Sequence, residues 1–390
     1  MWKIFLVPVI ILAAGSLMIV GTDWCLTRMK HLRRYRIGRW SSEQVWREAV
    51  KKCARKWLVH TPTVQKTDNC QYVLVDILKG NYRNRTIQSW QTAMLALGIS
   101  DCKDGVSQAL IGNWVRSAVA ESDAWKKPVG KVDFAMQAFA LLNAVSDAES
   151  IRPAMEEVLS VLKDNLCADG MISYSQGTKT PVRYVDTLGM VCPFLTAYGL
   201  RYGQPGYANM AITQLQKFRE FGLLTGTALP CHAYETEKNV PLGIYGWGRG
   251  TAWYFLGLLD TWIQLPAGAD EERLRQWVIE AAEEYWKYQK PDGGFDTILT
   301  GGGQYDSSAT AAMAYFYRVC GQRFSNEWYL SVSDRCLEKL KSVTMCDGAI
   351  DCCQGDTHGI GRFSAVFDVM PFAQGLVVRT LALKEREAHV

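Results

Sequence analysis

The chain has 390 residues, 48% hydrophobic and 21% charged, an ordinary globular balance whose size suits one large domain or two or three smaller ones. Its net charge of +4 is concentrated near the N-terminus, and no cluster of Lys and Arg marks a folded face, which argues against a nucleic-acid partner. Fourteen Trp and 17 Tyr supply flat rings that can stack on sugars, although such rings also serve as core material.

The first element is an uncharged run from Ile4 to Gly21, rich in Ile, Leu and Val, long for a signal-peptide core and sufficient to span a bilayer. Arg28, Lys30, Arg33, Arg34, Arg36 and Arg39 follow it, against Lys3 alone upstream. The positive-inside rule then places the chain after this helix in the cytoplasm, and an exported, cell-surface enzyme on a type II anchor is the competing expectation. Residues 1–40 are read as a transmembrane anchor with a basic juxtamembrane segment, and 41–390 as one catalytic domain, because no Pro-, Gly- or Ser-rich linker follows residue 40. The 12 cysteines form no regular framework, a usage that fits a reducing compartment.

In the body of the chain the informative feature is where charge is missing. No Asp, Glu, Lys or Arg falls between Arg85 and Asp101, Asp133 and Asp147, Asp186 and Arg201, Arg249 and Asp260, Asp306 and Arg318, or Asp368 and Arg379. Helices apolar on all sides are buried on all sides. Between these stretches lie amphipathic segments near 43–57, 105–123, 152–166, 207–221, 271–289 and 326–342. In 271–289, Leu274, Trp277, Val278, Ala281 and Tyr285 share a face, with Glu272, Arg275, Glu283 and Lys287 elsewhere. Dry and wet helices thus alternate six times, with a repeat of roughly 45 to 62 residues. The fold class is all-α, an (α/α)6 barrel of six inner and six outer helices behind an N-terminal hydrophobic anchor helix. An open solenoid is the alternative, usually with a tighter repeat. Segments 171–185 and 292–305 read as short hairpins or loops at one end.

The dry stretches open with Asp133, Asp186, Arg249 and Asp306. In a closed barrel all inner helices start at the same end, so these side chains converge on one cavity. Helix N-termini also favour an anionic ligand. For the aspartates, helix capping is the competing explanation. Arg249 is no N-cap, and its charge is unfavourable beside a helix N-terminus unless a carboxylate binds there.

These segments resemble a known family. YVDTLGMVCPFLTAYG at 184–199 is similar to the catalytic-helix motif of glycoside hydrolase families 105 and 88, the unsaturated rhamnogalacturonyl and unsaturated glucuronyl hydrolases. CHAYE at 231–235 and YGWGRGTAW at 245–253 resemble the family's His-containing loop and its Trp-x-Arg-Gly-x-x-Trp motif. KVDFAMQAF at 131–139 resembles the helix bearing its other active-site aspartate, and YDSSATAAMAYF at 305–316 a variant of its Glu-Thr-Ser-x-Ala-Met segment. The matches run in family order over about 90 to 380, and the family fold is an (α/α)6 barrel. By this resemblance Asp186 is the catalytic general acid/base and Asp133 the second aspartate, which positions substrate. His232, Trp247, Arg249 and Trp253 bind the sugar and its carboxylate. Thr251 and Ala252 stand where the rhamnogalacturonyl enzymes typically have Asn and Gly, and Asp306-Ser307 replaces a Glu-Thr pair, departures that bear on substrate more than on chemistry.

The resemblance implies proton delivery by Asp186 to C4 of a 4,5-unsaturated uronate, addition of water at C5, and loss of the glycosidic bond. An unsaturated rhamnogalacturonan disaccharide is the first expectation, and a glycosaminoglycan-type fragment the second. A conventional glycosidase using Asp133 and Asp186 as its two carboxylates, and a non-catalytic oligosaccharide-binding barrel, are the other readings. No cofactor is expected. Cys346, Cys352, Cys353 and His358 superficially resemble a metal site, but without a Cys-x2-Cys pair they read as a loop rimming the barrel mouth, and no metal is expected.

Overall fold

A computed structural model describes residues 2–387 apart from 63, 65–67, 70, 82–87, 121–122 and 175–179, with the backbone alone for residues 2–5. Among the described residues, the dry stretches form α4 (Ser89–Asp101), α6 (Phe134–Ala144), α8 (Val185–Arg201), α10 (Gly248–Trp262), α12 (Ser307–Phe324) and α14 (Pro371–Glu387). Each packs on the next, and α14 returns to α4, so the ring is closed and the solenoid alternative falls. The wet segments form α2 (Glu43–Val59), α5 (Gly105–Ala118), α7 (Arg152–Asp164), α9 (Gly206–Gly222), α11 (Ala269–Tyr285) and α13 (Glu327–Ser342), and these lie outside the ring. On α11, Leu274, Val278, Ala281 and Tyr285 are fully buried. Trp277 stays half-buried, covered by the guanidinium groups of Arg219 and Arg273.

The inner helices approach closely where glycine removes the side chain. A Cβ on Gly375 of α14 would lie 2.3 Å from the Met94 carbonyl oxygen of α4, and one on Gly98 the same distance from that of Gly375. Outer helices hand over to the interior through tight Asp-Gly turns. Gly348 has φ +86°, and a Cβ there would strike the Ala49 carbonyl oxygen at 2.1 Å.

Strands are few and sit at one end of the barrel. β1 (Val182–Tyr184) pairs antiparallel with β2 (Ala233–Glu235), which pairs with β3 (Val240–Leu242). Segment 171–185 therefore supplies a strand to a distant hairpin, and its residues 175–179 lie outside the described residues. In 292–305, Asp296 and Tyr305 face each other across a single antiparallel bridge. β4 (Cys353–Gln354) and β5 (Phe367–Asp368) close the loop before α14.

The chain begins with α1 (Trp2–Arg34), whose residues 6–34 are long and apolar enough to cross a membrane. Its last turns rest on the barrel. Arg34 makes a two-point ion pair with buried Asp351, and Lys30 lies 2.9 Å from Asp368. Asp23 accepts hydrogen bonds from the backbone N–H groups of Tyr72 (2.7 Å) and Val73 (2.8 Å), capping the short α3 (Val73–Leu78).

Candidate active site

The strand ladder brings the central pair together. Register Tyr184↔Ala233 places the start of α8 beside the segment before β2, and the Val185 N–H donates to the His232 carbonyl at 3.0 Å. Asp186, in the first turn of α8, and His232 therefore face each other, with Nε2 3.7 Å from Oδ2. Gly243 (φ +79°) passes beneath the imidazole, and a Cβ there would lie 2.8 Å from the His232 Cβ. A second backbone contact fixes α10. The Gly248 N–H donates to the Thr297 carbonyl at 2.8 Å, which sets Trp247 at the N-cap and Arg249 in the first turn.

Asp186, His232, Arg249 and Trp253 line one cavity of about 240 Å³, together with Gln88, Trp90, Tyr174, Tyr184, Met190, Asp356, Thr357 and Gly359. Trp247 lies just behind it. Its ring centroid is 4.7 Å from His232 and 5.2 Å from Phe363, and its Nε1–H donates to the Gln354 side chain at 3.1 Å. Trp253 is buried against Trp90 and Phe372, so much of its surface is core. Asp133 is buried at the start of α6 and does not line the cavity, although its charge acts on Tyr174, which does.

Capping accounts for only one of the four polar helix starts. Asp306 is completely buried and accepts from the Ser308 N–H (2.9 Å), the Ser308 hydroxyl (2.8 Å) and the Gln354 N–H (3.0 Å). Asp133 makes no side-chain cap, and Asp186 lies within the first turn without capping it. Asp133 Oδ1, Asp186 Oδ2 and His232 Nδ1 are buried without a hydrogen-bond partner. Buried polar atoms are rarely left so, and two of these, on Asp186 and His232, belong to residues that line the cavity, where a ligand could supply the missing bonds.

Electrostatics sharpen this. Burial pushes the Asp186 carboxyl up to about 7; Arg249 pulls it down and Asp356 adds to the rise. The side chain is 19% exposed. Burial, then Arg249, pushes the His232 imidazole down to about 4, so it is neutral at pH 7. Burial also raises Asp133. Arg249 is 1% exposed and has no ion pair among the described residues. Its guanidinium donates to the carbonyl oxygens of Gln354 (2.5 Å) and Gly355 (2.7 Å), and no carboxylate pairs with it directly among the described residues. Such an arrangement could accept a carboxylate beside an acid that holds its proton up to about pH 7.

Asp356, Gln88, Tyr174 and Tyr184 were not singled out from sequence. Gln88 Nε2 donates to Asp356 Oδ2 at 2.7 Å, tying the N-cap of α4 to the loop after β4. The only signal for Asp356 was its place in the loop expected to rim the mouth. In that loop Cys346 is exposed and Cys353 buried, while His358 lies 3.4 Å from Asp68. Among the described residues, no three His, Cys, Asp or Glu side chains gather as metal ligands.

Known structures repeat this architecture. A possible member of glycoside hydrolase family 105 from Klebsiella pneumoniae superposes with a TM-score of 0.75 at 16% identity, covering 90% of this chain and 95% of its own. The corresponding Salmonella enterica protein gives 0.73 at 16%, covering 88% and 94%. The unsaturated glucuronyl hydrolase of Bacillus sp. GL1, responsible for the degradation of glycosaminoglycan, gives 0.65 at 17%, covering 88% and 97%. No curated protein sequence matches the chain. The model of glycosyl hydrolase family 88 matches residues 84–364, the segment that holds every candidate site residue named from the sequence. This chain belongs to glycosyl hydrolase family 88.

Proposed function

We propose that the protein releases a 4,5-unsaturated uronic acid from the non-reducing end of lyase-generated oligosaccharides, with Asp186 as the general acid/base. The observation that carries this is that Asp186, whose carboxyl is pushed up to about 7, and buried Arg249, which has no direct ion pair among the described residues, line one cavity. The uronate carboxylate accepts from Arg249. Asp186 gives its proton to C4, electron demand develops at C5 and the ring oxygen, and water attacks C5. The Asp186 carboxylate then takes a proton from that water. The hemiketal formed at C5 opens and the aglycone departs as an alcohol. A single carboxyl cycling in this way contributes roughly 10²–10⁴-fold. Neutral His232 hydrogen-bonds substrate, Asp133 helps to position it from behind Tyr174, and Trp247 and Trp253 shape the ring-binding wall.

Within this reading the first substrate is an unsaturated rhamnogalacturonan disaccharide and the second a glycosaminoglycan-type fragment. A panel of lyase-generated disaccharides differing in the sugar beside the uronate, followed by loss of the conjugated-alkene absorbance, decides between them. The rhamnose-linked member should have the highest kcat/KM, and a hexosamine-linked member leading by tenfold or more would reverse the assignment.

We further propose that residues 1–40 are a membrane anchor and basic segment and 41–390 the catalytic domain, with the barrel on the cytoplasmic side. The apolar helix and the basic residues after it support this. Protease treatment of intact spheroplasts should leave the barrel uncut; its digestion would place the enzyme outside.

A further inference from the structure

The contact between α1 and the barrel falls on the loop that builds one wall of the cavity. Arg34 Nη2 lies 2.8 Å from Asp351 Oδ1, its Nε bonds Oδ2 of the same carboxylate, and Nη2 also donates to the Phe367 carbonyl at 3.2 Å. The Asp351 side chain is completely buried, and Arg34 is its only ion-pair partner among the described residues. The same carboxylate accepts from the Cys352 N–H at 2.8 Å. Cys352 has φ +63°, a conformation that a non-glycine residue adopts only when its surroundings hold it there.

From this point the chain runs directly into the site. The Ser307 hydroxyl donates to the Asp351 carbonyl at 2.5 Å, the Ser307 N–H to that of Cys352 at 3.0 Å, and the Gln354 N–H to Asp306 at 3.0 Å. The next two carbonyls, of Gln354 and Gly355, are the ones that hold Arg249, and the next side chain is Asp356. Four residues thus separate Asp351 from Asp356 in the cavity wall.

We infer that Arg34, on the helix preceding the barrel, is a positioning residue for the active site: its grip on Asp351 sets the 351–356 segment, and through it the orientation of Arg249. The apolar helix and the cavity are then one mechanical unit, and the mouth of the barrel faces the side from which α1 arrives. The kinetic part rests on the proposed function; the mechanical part does not.

The test uses the full chain as wild type, R34K, R34Q and the double variant R34Q/D351N, with R275Q, an exposed ion pair on α11, as control. The double variant leaves no lone buried carboxylate and so remains foldable where R34Q does not. Amide exchange at Gln354 and Gly355 should quicken at least about tenfold in R34Q and R34Q/D351N while α8 keeps its protection. The KM for an unsaturated disaccharide should rise about tenfold with kcat within about twofold, and R34K should fall between. A lower Tm with unchanged exchange at 354–355 and unchanged KM would overturn the inference, leaving an ordinary structural ion pair. Faster exchange with an unchanged KM would overturn it too, because the segment would then move without consequence for the site. If the wild type turns over no unsaturated saccharide, the functional reading falls, and the exchange measurement alone decides whether Arg34 sets this segment.

Discussion

His232 Nε2 stands 3.7 Å from Asp186 Oδ2, and around pH 6 the two form a neutral pair instead of a salt bridge, because burial drives the imidazole down to about 4 and the carboxyl up to about 7. A neutral acid beside a neutral base-shaped ring can deliver a proton to carbon without first breaking an ion pair. The same environment places a charged Arg249 within reach of an incoming carboxylate, so substrate and proton arrive from different groups.

The pH dependence follows from the sign of the Asp186 shift. The reacting form is protonated, so kcat/KM should fall about tenfold per pH unit above roughly 7. Asp356 helps hold that proton. Asp356→Asn should therefore move the alkaline limb to lower pH, and pH–rate profiles of the two proteins would show it. A limb that stays put or moves upward would remove Asp356 from the account.

Stability should carry the same signature. The folded chain keeps the Asp186 proton between about pH 4 and 7, where an unfolded chain has released it, so this group's contribution is lost as pH rises. Well above pH 7 the buried carboxylate costs on the order of 4 kcal/mol. Asp186→Asn should be inactive yet more stable than wild type at pH 8, with the difference vanishing near pH 4. Urea unfolding at the two pH values measures it, and an equal difference at both would contradict the shift.

Arg249→Lys keeps a positive charge but loses the fork that spans the two carbonyls. A loss of roughly 10²-fold in kcat/KM, mostly in KM, is expected from steady-state kinetics. A KM within twofold of wild type would mean that the uronate is held elsewhere.

Closure of the inner ring has its own test. Gly375→Ala puts a methyl 2.3 Å from the Met94 carbonyl oxygen, and separating α4 from α14 should cost about 1–3 kcal/mol or more. Gly206→Ala, with nothing within 4 Å of its Cβ, is the matched control and should be near neutral. Equal thermal shifts would show that the contact is not tight.

The barrel was legible because burial on every side leaves a plain compositional trace. A core helix such as α12 can carry almost no charge, and its outer neighbour α13 must carry one wet face. The site was legible where it rides on those helices, as with Asp186 and Arg249. It was not legible in the loops. Asp356 reaches the cavity through a turn set by Asp351 and Cys352, and its hydrogen bond to Gln88 joins positions 268 residues apart, a pairing no local pattern encodes. Segment 171–185 reads as a short hairpin or loop, and the distant partner of its strand was not legible for the same reason, since β1 pairs with β2. The Asp-Gly turns at Gly293 and Gly348 were a repeat signal in plain view, with positive φ at the same place in successive hairpins.

The central claim is that an alkene carbon, and not an acetal oxygen, receives the Asp186 proton. It is tested most directly with two disaccharides that differ only in the C4–C5 double bond, followed by ultraviolet absorbance and by release of the second sugar. The unsaturated compound should lose its absorbance as the second sugar appears, the saturated one should remain intact, and Asp186→Asn should leave both untouched. Cleavage of the saturated compound at a comparable rate would contradict the account and make this a conventional glycosidase.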